Sequence, residues 1–369
     1  MRLAYIANGT NIHVQRWVNF FARNGHEVHL ICWQAMAGYD ENIHVHLLTK
    51  LCPRIWALSQ YPSFPFWIFQ ARQLIKKIKP DIVDGQYISV YGFLAACCSF
   101  HPLFVTAMGS DILIDPKQNF LRRILVRYAL KKADTVVCNS ETVKRGLLEL
   151  GISAEKIRLV YNGIDTKQFS PQLKDENIKS RLDVGRAPLI VSIRNLRPVY
   201  NVGMLIKAIP LVLRQSPEAK FIIGGDGEQR DYLKSLASSL GVSDAIRFTG
   251  YIAHDELPKY LASSDVYVST SLSDSTSLSL QEAMACELAP VVTDLPANRE
   301  WIADGQNGFI VPTNDVQALA DRIVYLLKND EARRRFGRLG RQIIRARAEY
   351  QREMEKMEEI YRELVGGNW

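Results

Sequence analysis

The sequence predicts an α/β protein with two doubly wound parallel-sheet domains in tandem. Three observations support this fold class. The chain has 369 residues, more than the roughly 100–200 residues of an ordinary domain. Short apolar runs rich in β-branched residues alternate with longer amphipathic segments, as they do in repeated strand–helix units. This alternation pauses near residue 163 and begins again near residue 188.

The first series contains candidate strands separated by segments with helical periodicity. The strands are expected at residues 2–7, 26–32, 43–48, 81–84, 103–107, 135–139 and 157–161. The helices are expected at residues 13–23, 66–78, 120–132 and 141–150. Residues 87–108 lack Asp, Glu, Lys and Arg, but Gly92 and Pro102 interrupt them. A buried helix followed by a buried strand is therefore favoured over a membrane span.

The second series repeats the pattern after two turn signals, Asn162-Gly163 and Ser170-Pro171. Its strands are expected at residues 188–193, 221–224, 246–250, 266–270, 289–293 and 309–311. Its helices are expected at residues 175–182, 202–213, 229–240, 255–261, 278–286 and 316–327, and a long charged helix at 332–364. The predicted domains are residues 1–170 and 171–345, with a linker at about 163–187 and a C-terminal helix at 346–369 that packs back toward the first domain.

Composition narrows the classes of function. Hydrophobic residues make up 47% and charged residues 23% of the chain, which is typical of a folded protein. The net charge of +7 favours phosphorylated ligands or an anionic membrane, and without a nucleic-acid module signature no nucleic-acid partner is predicted. The six cysteines form no Cys-x-x-Cys pair, and the start of the chain does not resemble a signal peptide. These features predict a reducing, cytoplasmic location.

His44 and His46 alternate along a candidate strand. No second pair of ligands follows at the spacing of a zinc site, so they are interpreted as solvated strand residues. Neither a metal nor a cofactor is predicted.

The strongest motif follows the candidate strand at 266–270. Asp274 lies in a loop of small residues, and Glu282 lies eight residues later, inside the next helix. Ligands of parallel sheets bind beyond the carboxyl ends of the strands, and a helix N-terminus attracts phosphate. The alternative is an ordinary helix cap followed by a solvated glutamate.

This motif resembles the Glu-x7-Glu segment of glycosyltransferase family 4, a large group of retaining enzymes with the GT-B fold. Asn162-Gly163-Ile164-Asp165 resembles the family's segment at the join between domains. The resemblance implies two Rossmann-like domains that face a central cleft and a nucleotide-diphosphate sugar as donor. Asp274 would contact the donor sugar and Glu282 the ribose. The loop residues Ser275, Thr276, Ser277 and Leu278 would meet sugar and phosphate.

Arg194 follows the candidate strand at 188–193 and resembles the arginine that the family delivers to the donor diphosphate. Arginine suits a diphosphate because its guanidinium makes bidentate contacts. The lysine that usually follows is missing, so Arg197 is expected to supply the second positive charge, or Tyr200 a neutral hydrogen bond in its place. A surface ion pair is the alternative role of Arg194.

Two loops of the first domain complete the resemblance. Gly9 is predicted to approach the donor phosphates, and Asn11 and His13 to lie on the acceptor side. Asp111 is predicted to meet an acceptor hydroxyl, although Met108 stands where relatives often have a histidine. The alternatives are a capping or packing role for His13 and a helix-capping role for Ser110 or Asp111.

Residues 51–79 and 117–132 are basic, contain no acid and include many apolar side chains. Such segments can lie on anionic lipid headgroups, and ordinary packing helices with solvated charges are the alternative. The predicted protein is a retaining transferase that takes a glycan or lipid-linked acceptor, in the cytoplasm and peripheral to the inner face of the cell membrane. The alternatives are a nucleotide-sugar epimerase of the same fold and a non-catalytic nucleotide-sugar-binding protein.

Overall fold

The computed structural model describes residues 1–49 and 64–366, and its contacts divide the chain into two compact units. The first unit comprises Met1–Asn162 and Arg352–Trp369, and the second comprises Gly163–Gln351.

The first boundary falls after Asn162, earlier than the predicted residue 170, because the segment that follows bonds to the second unit. Arg341 donates to the carbonyl oxygens of Thr166 and Phe169 at 2.9 Å each. Ile164 pairs with Glu349 in a parallel bridge. The second unit ends at Gln351, so the C-terminal segment begins at Arg352, six residues beyond its predicted start at 346.

The first unit contains a parallel sheet with the strand order β3-β2-β1-β4-β5-β6-β7. Its strands are β1 (Arg2–Ile6), β2 (Glu27–Cys32), β3 (Ile43–Leu47), β4 (Ile82–Gln86), β5 (Leu103–Ala107), β6 (Thr135–Cys138) and β7 (Ile157–Leu159). Each predicted strand of the first series is confirmed, with small shifts at the ends. The strands β5 and β6 are fully buried and almost entirely apolar because helices cover both faces of such a sheet.

The helices of the first unit connect these strands. They are α1 (Ile12–Arg23), α2 (Phe64–Ile78), α3 (Phe93–Cys97), α4 (Ser110–Leu113), α5 (Asp115–Gln118), α6 (Phe120–Lys132) and α7 (Glu141–Glu149). A π-helical turn at Ile88–Gly92 leads into α3, so the uncharged stretch near residue 90 is a buried helix before β5, as predicted.

The second unit contains a six-stranded parallel sheet with the order β10-β9-β8-β11-β12-β13. Its strands are β8 (Leu189–Ile193), β9 (Lys220–Gly224), β10 (Ile246–Gly250), β11 (Val266–Ser269), β12 (Ala289–Thr293) and β13 (Phe309–Val311). Its helices are α8 (Glu176–Arg181), α9 (Val202–Leu213), α10 (Arg230–Ser239), α11 (Leu257–Ala262), α12 (Leu278–Ala285), α13 (Pro296–Arg299), α14 (Val316–Lys328) and α15 (Asp330–Arg347). The strands and longer helices predicted for this series are confirmed.

The tail is helical, as predicted for residues 332–364, and two helices occupy it rather than one. The helix α15 ends at Arg347, and α16 spans Tyr350–Gly366. Ala348 lies between them and is fully buried, and its carbonyl oxygen accepts from Ile164 N at 2.8 Å. The break allows the chain to pair with the segment that opens the second unit. Helical periodicity alone does not reveal such a distant partner.

The part of α16 from Arg352 onward packs in the first unit, as predicted. The ring of Tyr361 lies 4.8 Å from the ring of Phe104 and 5.2 Å from that of Phe21. Its hydroxyl donates to the Asp84 carboxylate at 2.9 Å. Thr106 Oγ1 donates to the other oxygen of Asp84 at 2.9 Å. A buried carboxyl group of β4 thus anchors the C-terminal helix.

Across residues 1–49 and 64–366, no helix has both the length and the hydropathy that a bilayer span requires.

Replacing Asp84 with Asn should reduce the dependence of stability on pH. Burial raises the pKa of Asp84 to about 6, above the value of about 3.9 expected in the unfolded chain. The folded state therefore binds the extra proton, and this stability is present below about pH 4 and lost as the pH rises through 6. At 1.36 kcal/mol per pH unit the loss is about 3 kcal/mol. Urea unfolding at pH 4 and pH 7 measures it.

Asp84→Asn should remove roughly half of the combined slope, since burial also raises the pKa of Asp111 to about 6. The unpaired Gln86 Oε1 can accept from the new amide if the Gln86 side chain flips. The exposed Asp231→Asn serves as the control and should leave the slope unchanged. Equal slopes in wild type and Asp84→Asn would contradict the assignment.

Candidate functional site

The second sheet has a topological switch point between β8 and β11. These strands are neighbours, but β9 lies on the far side of β8 and β12 lies on the far side of β11. Loops that leave adjacent parallel strands in opposite directions open a crevice at the carboxyl edge, and ligands bind there. Arg194 directly follows β8, and Asp274 lies in the loop after β11. Both predicted donor residues therefore lie at this switch point.

The Arg194 guanidinium is held by oxygen atoms around the start of α12. Its Nη2 donates to the Asp274 carboxylate. Its Nη1 donates to the hydroxyls of Ser277 and Ser279, at 3.2 and 3.1 Å. The ring of Tyr200 lies 4.2 Å from the guanidinium carbon, close enough for a cation–π contact. These contacts tie the end of β8 to the start of α12.

This ion pair is largely shielded from water, with side-chain exposures of 9% for Arg194 and 12% for Asp274. Burial lowers the pKa of Arg194, but the charge of Asp274, the nearby Tyr267 and Tyr200, and the hydrogen bond to Asp274 together outweigh it, so the pKa is raised. Among the described residues, Arg194 Nε has no hydrogen-bond acceptor although it is buried. A buried donor without a partner is uncommon in folded proteins and marks a place where a ligand oxygen could bind.

The start of α12 adds positive potential at the same place. Ser277 is the N-cap residue, yet its hydroxyl makes no capping bond and accepts from Arg194 instead. Thr276 Oγ1 accepts from Gln281 Nε2 at 3.1 Å, which fixes the loop that also contains Ser275 and leads into Leu278. The amide end of a helix and a guanidinium both favour an anion.

Glu282 lies in the second turn of α12 and is 7% exposed. Its Oε1 is 3.5 Å from Nε2 of His254, in the loop after β10. Nδ1 of His254 is 3.3 Å from Gln168 Nε2, and the imidazole packs edge-on against Phe169. His254 was not predicted as a site residue from sequence. Its position shortly after a predicted strand could have identified it as a candidate.

Arg197, predicted as a second positive charge, is exposed and precedes the turn at Pro198–Tyr200. No contact among the described residues joins its side chain to Arg194, whereas Tyr200 stacks on that guanidinium. The position of Tyr200 favours the alternative that a tyrosine replaces the missing lysine.

The glycines at 225 and 227 are explained by packing of one loop on another. A Cβ on Gly225 would lie 2.1 Å from Arg194 O, and one on Gly227 would lie 2.5 Å from Leu196 O. Their φ values of +121° and +157° also disfavour other residues. Leu196 N donates to Asp226 O at 2.9 Å. The two glycines therefore hold the backbone behind Arg194 in place.

The first sheet has its switch point between β1 and β4, and a cavity of about 400 Å³ lies there. None of the described residues that line it ionises near neutral pH, and its wall combines amide, hydroxyl and aromatic side chains. The lining residues are Asn8, Thr10, Asn11, Val14, Trp33, Gln34, Trp67, Gln86, Tyr87, Val90, Tyr91 and Met108.

The loop after β1 is built around Asn11 and Gly9. Asn11 caps α1 by accepting from His13 N at 2.8 Å, and it also lines the cavity. A Cβ on Gly9 would lie 2.4 Å from Gln34 O, so glycine is required for close packing against the chain after β2. This packing explains Gly9 without a ligand, and its predicted contact with donor phosphates stays a prediction. The same holds for the acceptor-side role of His13.

Asp111 is fully buried, and its carboxylate accepts from backbone amides. Gly109 N and Ile88 N donate at 2.7 Å each, and Met108 N donates at 3.1 Å. Burial nevertheless raises its pKa to about 6. This arrangement favours the alternative in which Asp111 caps the loop, over direct contact with an acceptor hydroxyl.

The fold and the two switch points define a class of α/β protein: two doubly wound units, one with a cationic site suited to phosphate and one with a polar and aromatic cavity. The family model described as "Glycosyl transferases group 1" matches residues 174–343, and the model described as "Glycosyltransferase Family 4" matches residues 7–168. The chain belongs to this family and is a glycosyltransferase.

Individual relatives are distant but extend over most of the chain. N-acetyl-alpha-D-glucosaminyl L-malate synthase of Bacillus anthracis is 25% identical over 363 residues, covering 93% of this chain and 91% of that protein. Alpha-monoglucosyldiacylglycerol synthase of Streptococcus pneumoniae is 27% identical over 283 residues, covering 69% of this chain and 63% of that protein.

Solved structures share the fold. Anabaena HepE in complex with UDP and glucose superimposes with a TM-score of 0.82 at 20% identity, over 99% of this chain and 100% of that one. Sucrose-phosphate synthase of Thermosynechococcus elongatus superimposes with a TM-score of 0.83 at 18% identity, over the full length of both chains.

Replacing Arg194 with Lys should lower kcat for sugar transfer by about 100- to 1,000-fold, the range seen when one charge-stabilising donor is removed from an active site. A lysine ammonium lacks the planar fork through which the Arg194 guanidinium donates from Nη2 to Asp274 and from Nη1 to Ser277 and Ser279. Steady-state kinetics with the nucleotide sugar measures the loss. Arg197→Lys is the matched control, and an equal loss in that variant would show that the critical charge is not concentrated at Arg194.

Proposed function

We propose that the protein is a retaining glycosyltransferase that moves a sugar from a nucleoside diphosphate sugar to a glycan or lipid-linked acceptor. The observation that carries the proposal is the buried Arg194–Asp274 pair at the switch point of the second sheet. It places the Arg194 guanidinium, paired with the Asp274 carboxylate, and its unpaired Nε–H donor where doubly wound sheets bind phosphorylated ligands.

The donor is held by three groups in the second unit. Arg194 meets the diphosphate, with its unpaired Nε available to a phosphate oxygen. Asp274 orients the guanidinium and, by analogy with the family's first acid, contacts the donor sugar. Glu282 accepts from the ribose hydroxyls, and His254 holds its carboxylate in position.

The chemical step needs stabilisation of the departing diphosphate. We place that role on Arg194 and the start of α12, which act where negative charge develops. The acceptor hydroxyl attacks the anomeric carbon on the face from which the diphosphate leaves, so the configuration is retained. The reaction proceeds without a metal in this proposal, and full activity in EDTA is the expected result.

The acceptor occupies the cavity of the first unit. The ring of Trp33 lies 4.7 Å from that of Trp67 and 4.8 Å from that of Tyr91, forming an aromatic wall. Asn11 and Gln86 supply amide groups beside it. Flat apolar faces next to neutral hydrogen-bonding groups suit a sugar ring better than a charged acceptor.

The helix α6 supports a membrane-associated acceptor. Phe120 is 78% exposed, and Leu121, Ile124 and Tyr128 are also exposed on the same helix. Arg123, Arg127 and Lys131 add positive charge to its exposed surface. On α2, Phe69 is exposed, with Lys76 and Lys77 in the last turn. The remainder of the predicted basic segment 51–79, residues 51–63, lies outside the described residues.

An apolar stripe beside basic side chains is typical of helices that lie on anionic headgroups. Two relatives carry lipids in their names: alpha-monoglucosyldiacylglycerol synthase, and the Escherichia coli UDP-Gal:alpha-D-GlcNAc-diphosphoundecaprenol galactosyltransferase. We therefore place the protein in the cytoplasm at the inner face of the cell membrane, in the synthesis of a cell-envelope glycan or glycolipid.

Glu282→Gln should weaken nucleotide binding by about 10- to 100-fold, since a hydrogen bond to a charged group contributes about 1.5–3 kcal/mol. Thermal unfolding with UDP, GDP and their sugar derivatives measures it. A ligand at 100 times its dissociation constant adds about 2.7 kcal/mol to the stability of the wild type. The exposed Glu331→Gln in the same unit is the control. The proposed donor site is refuted if Glu282→Gln and Glu331→Gln bind every nucleotide as the wild type does.

The same nucleotide sugar is then incubated with and without a lipid-linked or oligosaccharide acceptor. Transfer that needs the acceptor and retains the anomeric configuration supports the proposed function. Product formed without an acceptor indicates an epimerase, and binding without turnover indicates a non-catalytic protein.

Phe120→Ser combined with Ile124→Ser should lower binding to anionic vesicles by about tenfold or more, because two exposed apolar side chains lose their burial in the interface. Co-sedimentation with phosphatidylglycerol vesicles measures it, and binding should weaken with salt. Tyr251→Ser is the matched control, since Tyr251 is 79% exposed in the second unit. Binding that is insensitive to the double change would place membrane contact elsewhere.

A further inference from the structure

Four ionisable side chains meet on one face of the first sheet, at its edge. Glu27 and His29 alternate along β2, and His44 and His46 alternate along the edge strand β3. In the parallel register His29 lies opposite His44, and Ile31 lies opposite His46. Because side chains two residues apart point to the same face of a strand, the register brings all four together. The family resemblance gives these four residues no role. From sequence, His44 and His46 were interpreted as solvated strand residues.

The distances show a linked group around His29. His29 Nε2 lies 3.0 Å from Glu27 Oε1, and His29 Nδ1 lies 2.9 Å from His46 Nε2. The His44 ring stacks on that of His29 with 4.8 Å between centroids. One ligand atom from each of Glu27, His29 and His44 can be chosen so that all three lie within 4.8 Å of one another.

These donor types match a zinc ion. Two imidazole nitrogens and one carboxylate oxygen, with a water molecule as the fourth ligand, form a known zinc coordination set. Ligand atoms about 2.0–2.1 Å from the ion in a tetrahedron are roughly 3.3 Å apart. Glu27 and His29 already have nearly this spacing, and the exposed His44 can rotate to close the remaining gap.

His46 fits the role of an outer partner. A histidine that binds a metal through one nitrogen usually donates from the other to a neighbouring acceptor, which fixes its tautomer. His29 Nδ1–H donating to His46 Nε2 meets this requirement and leaves the Nε2 lone pair of His29 for the ion. Arg2 Nε contacts Glu27 Oε1 at 2.9 Å, the same oxygen that faces His29, and opposes a cation there. Rotation of the carboxylate can turn its second oxygen, Oε2, to the ion.

We propose that Glu27, His29 and His44 form a Zn²⁺ site, with His46 as the positioning residue for His29. The ion fastens the edge strand β3 to β2. The site is composed only of residues in β2 and β3, so it does not depend on the proposed transfer reaction.

Zinc binding to the full-length protein, freed of any affinity tag, tests the proposal by isothermal titration calorimetry and thermal unfolding. The expected result is one saturable site for Zn²⁺, none for Mg²⁺, and a melting temperature that rises with Zn²⁺. Co²⁺ should give ligand-field bands without a thiolate charge-transfer band, which separates this site from the cysteines of the chain.

The variants should weaken Zn²⁺ binding to different extents. His46→Gln should weaken Zn²⁺ binding by about 10- to 100-fold, as the loss of an outer partner does. His44→Ala and Glu27→Gln, both at exposed positions, should weaken it by more than that. His101→Asn is the matched control. His101 is an exposed histidine outside β2 and β3, and its Nδ1 lies 2.7 Å from the Asp134 carboxylate. The His101→Asn variant should bind Zn²⁺ as the wild type does.

Two results would overturn the proposal: no saturable Zn²⁺ binding to the wild type, or undiminished binding in both His44→Ala and Glu27→Gln. Circular dichroism confirms that each variant is folded. Glu27 and His44 are exposed, and substitutions at exposed positions change stability little.

Discussion

The second unit depends on a buried ion pair at the point where its strand order reverses. Desolvating a guanidinium and a carboxylate is costly, and the cost is repaid only if the geometry is good and the remaining donors are satisfied. Here the hydroxyls of Ser277 and Ser279 accept from Nη1 of Arg194, and the ring of Tyr200 covers one face of the guanidinium. The glycines behind Arg194 let the next loop approach its backbone. The surrounding residues thus hold the Arg194 guanidinium at the switch point, where ligands of such sheets bind.

The strands were predictable because of where parallel sheets bury them. A strand covered by helices on both faces is a continuous apolar run, and this signal survives in isolation, as β5 and β12 show. The tail was harder to predict because its break serves a partner nearly two hundred residues away. Nothing near Ala348 marks the helix end in the sequence, since the cause is its pairing with Ile164.

The candidate site was also predictable only in part: the positions of its residues could be predicted from sequence, and their contacts could not. Arg194 directly follows β8 and Asp274 lies in the loop after β11, so their place at strand ends and the family resemblance together made them candidates from sequence. Glu282, inside α12, was a candidate through the resemblance. The contacts that give them direction involve His254 and Tyr200, which local pattern does not connect to them. Asp111 shows the opposite case: it also follows a strand, but its oxygens are occupied by backbone amides. Position at a strand end selects candidates, and only burial and hydrogen bonding separate a ligand contact from a cap.

The two switch points differ in charge, and this difference bears on the mechanism. The second holds Arg194, whereas no side chain among the described residues that line the cavity at the first ionises near neutral pH. Burial raises the pKa of Tyr91 and brings that of Tyr87 to about 12, so neither takes a proton from an acceptor hydroxyl at pH 7. Within the proposed function, the proton then passes to the group that gains negative charge in the step, the departing diphosphate. A cation fixed at the diphosphate and a neutral acceptor cavity are what such a transfer requires, because the charge develops only on the donor side.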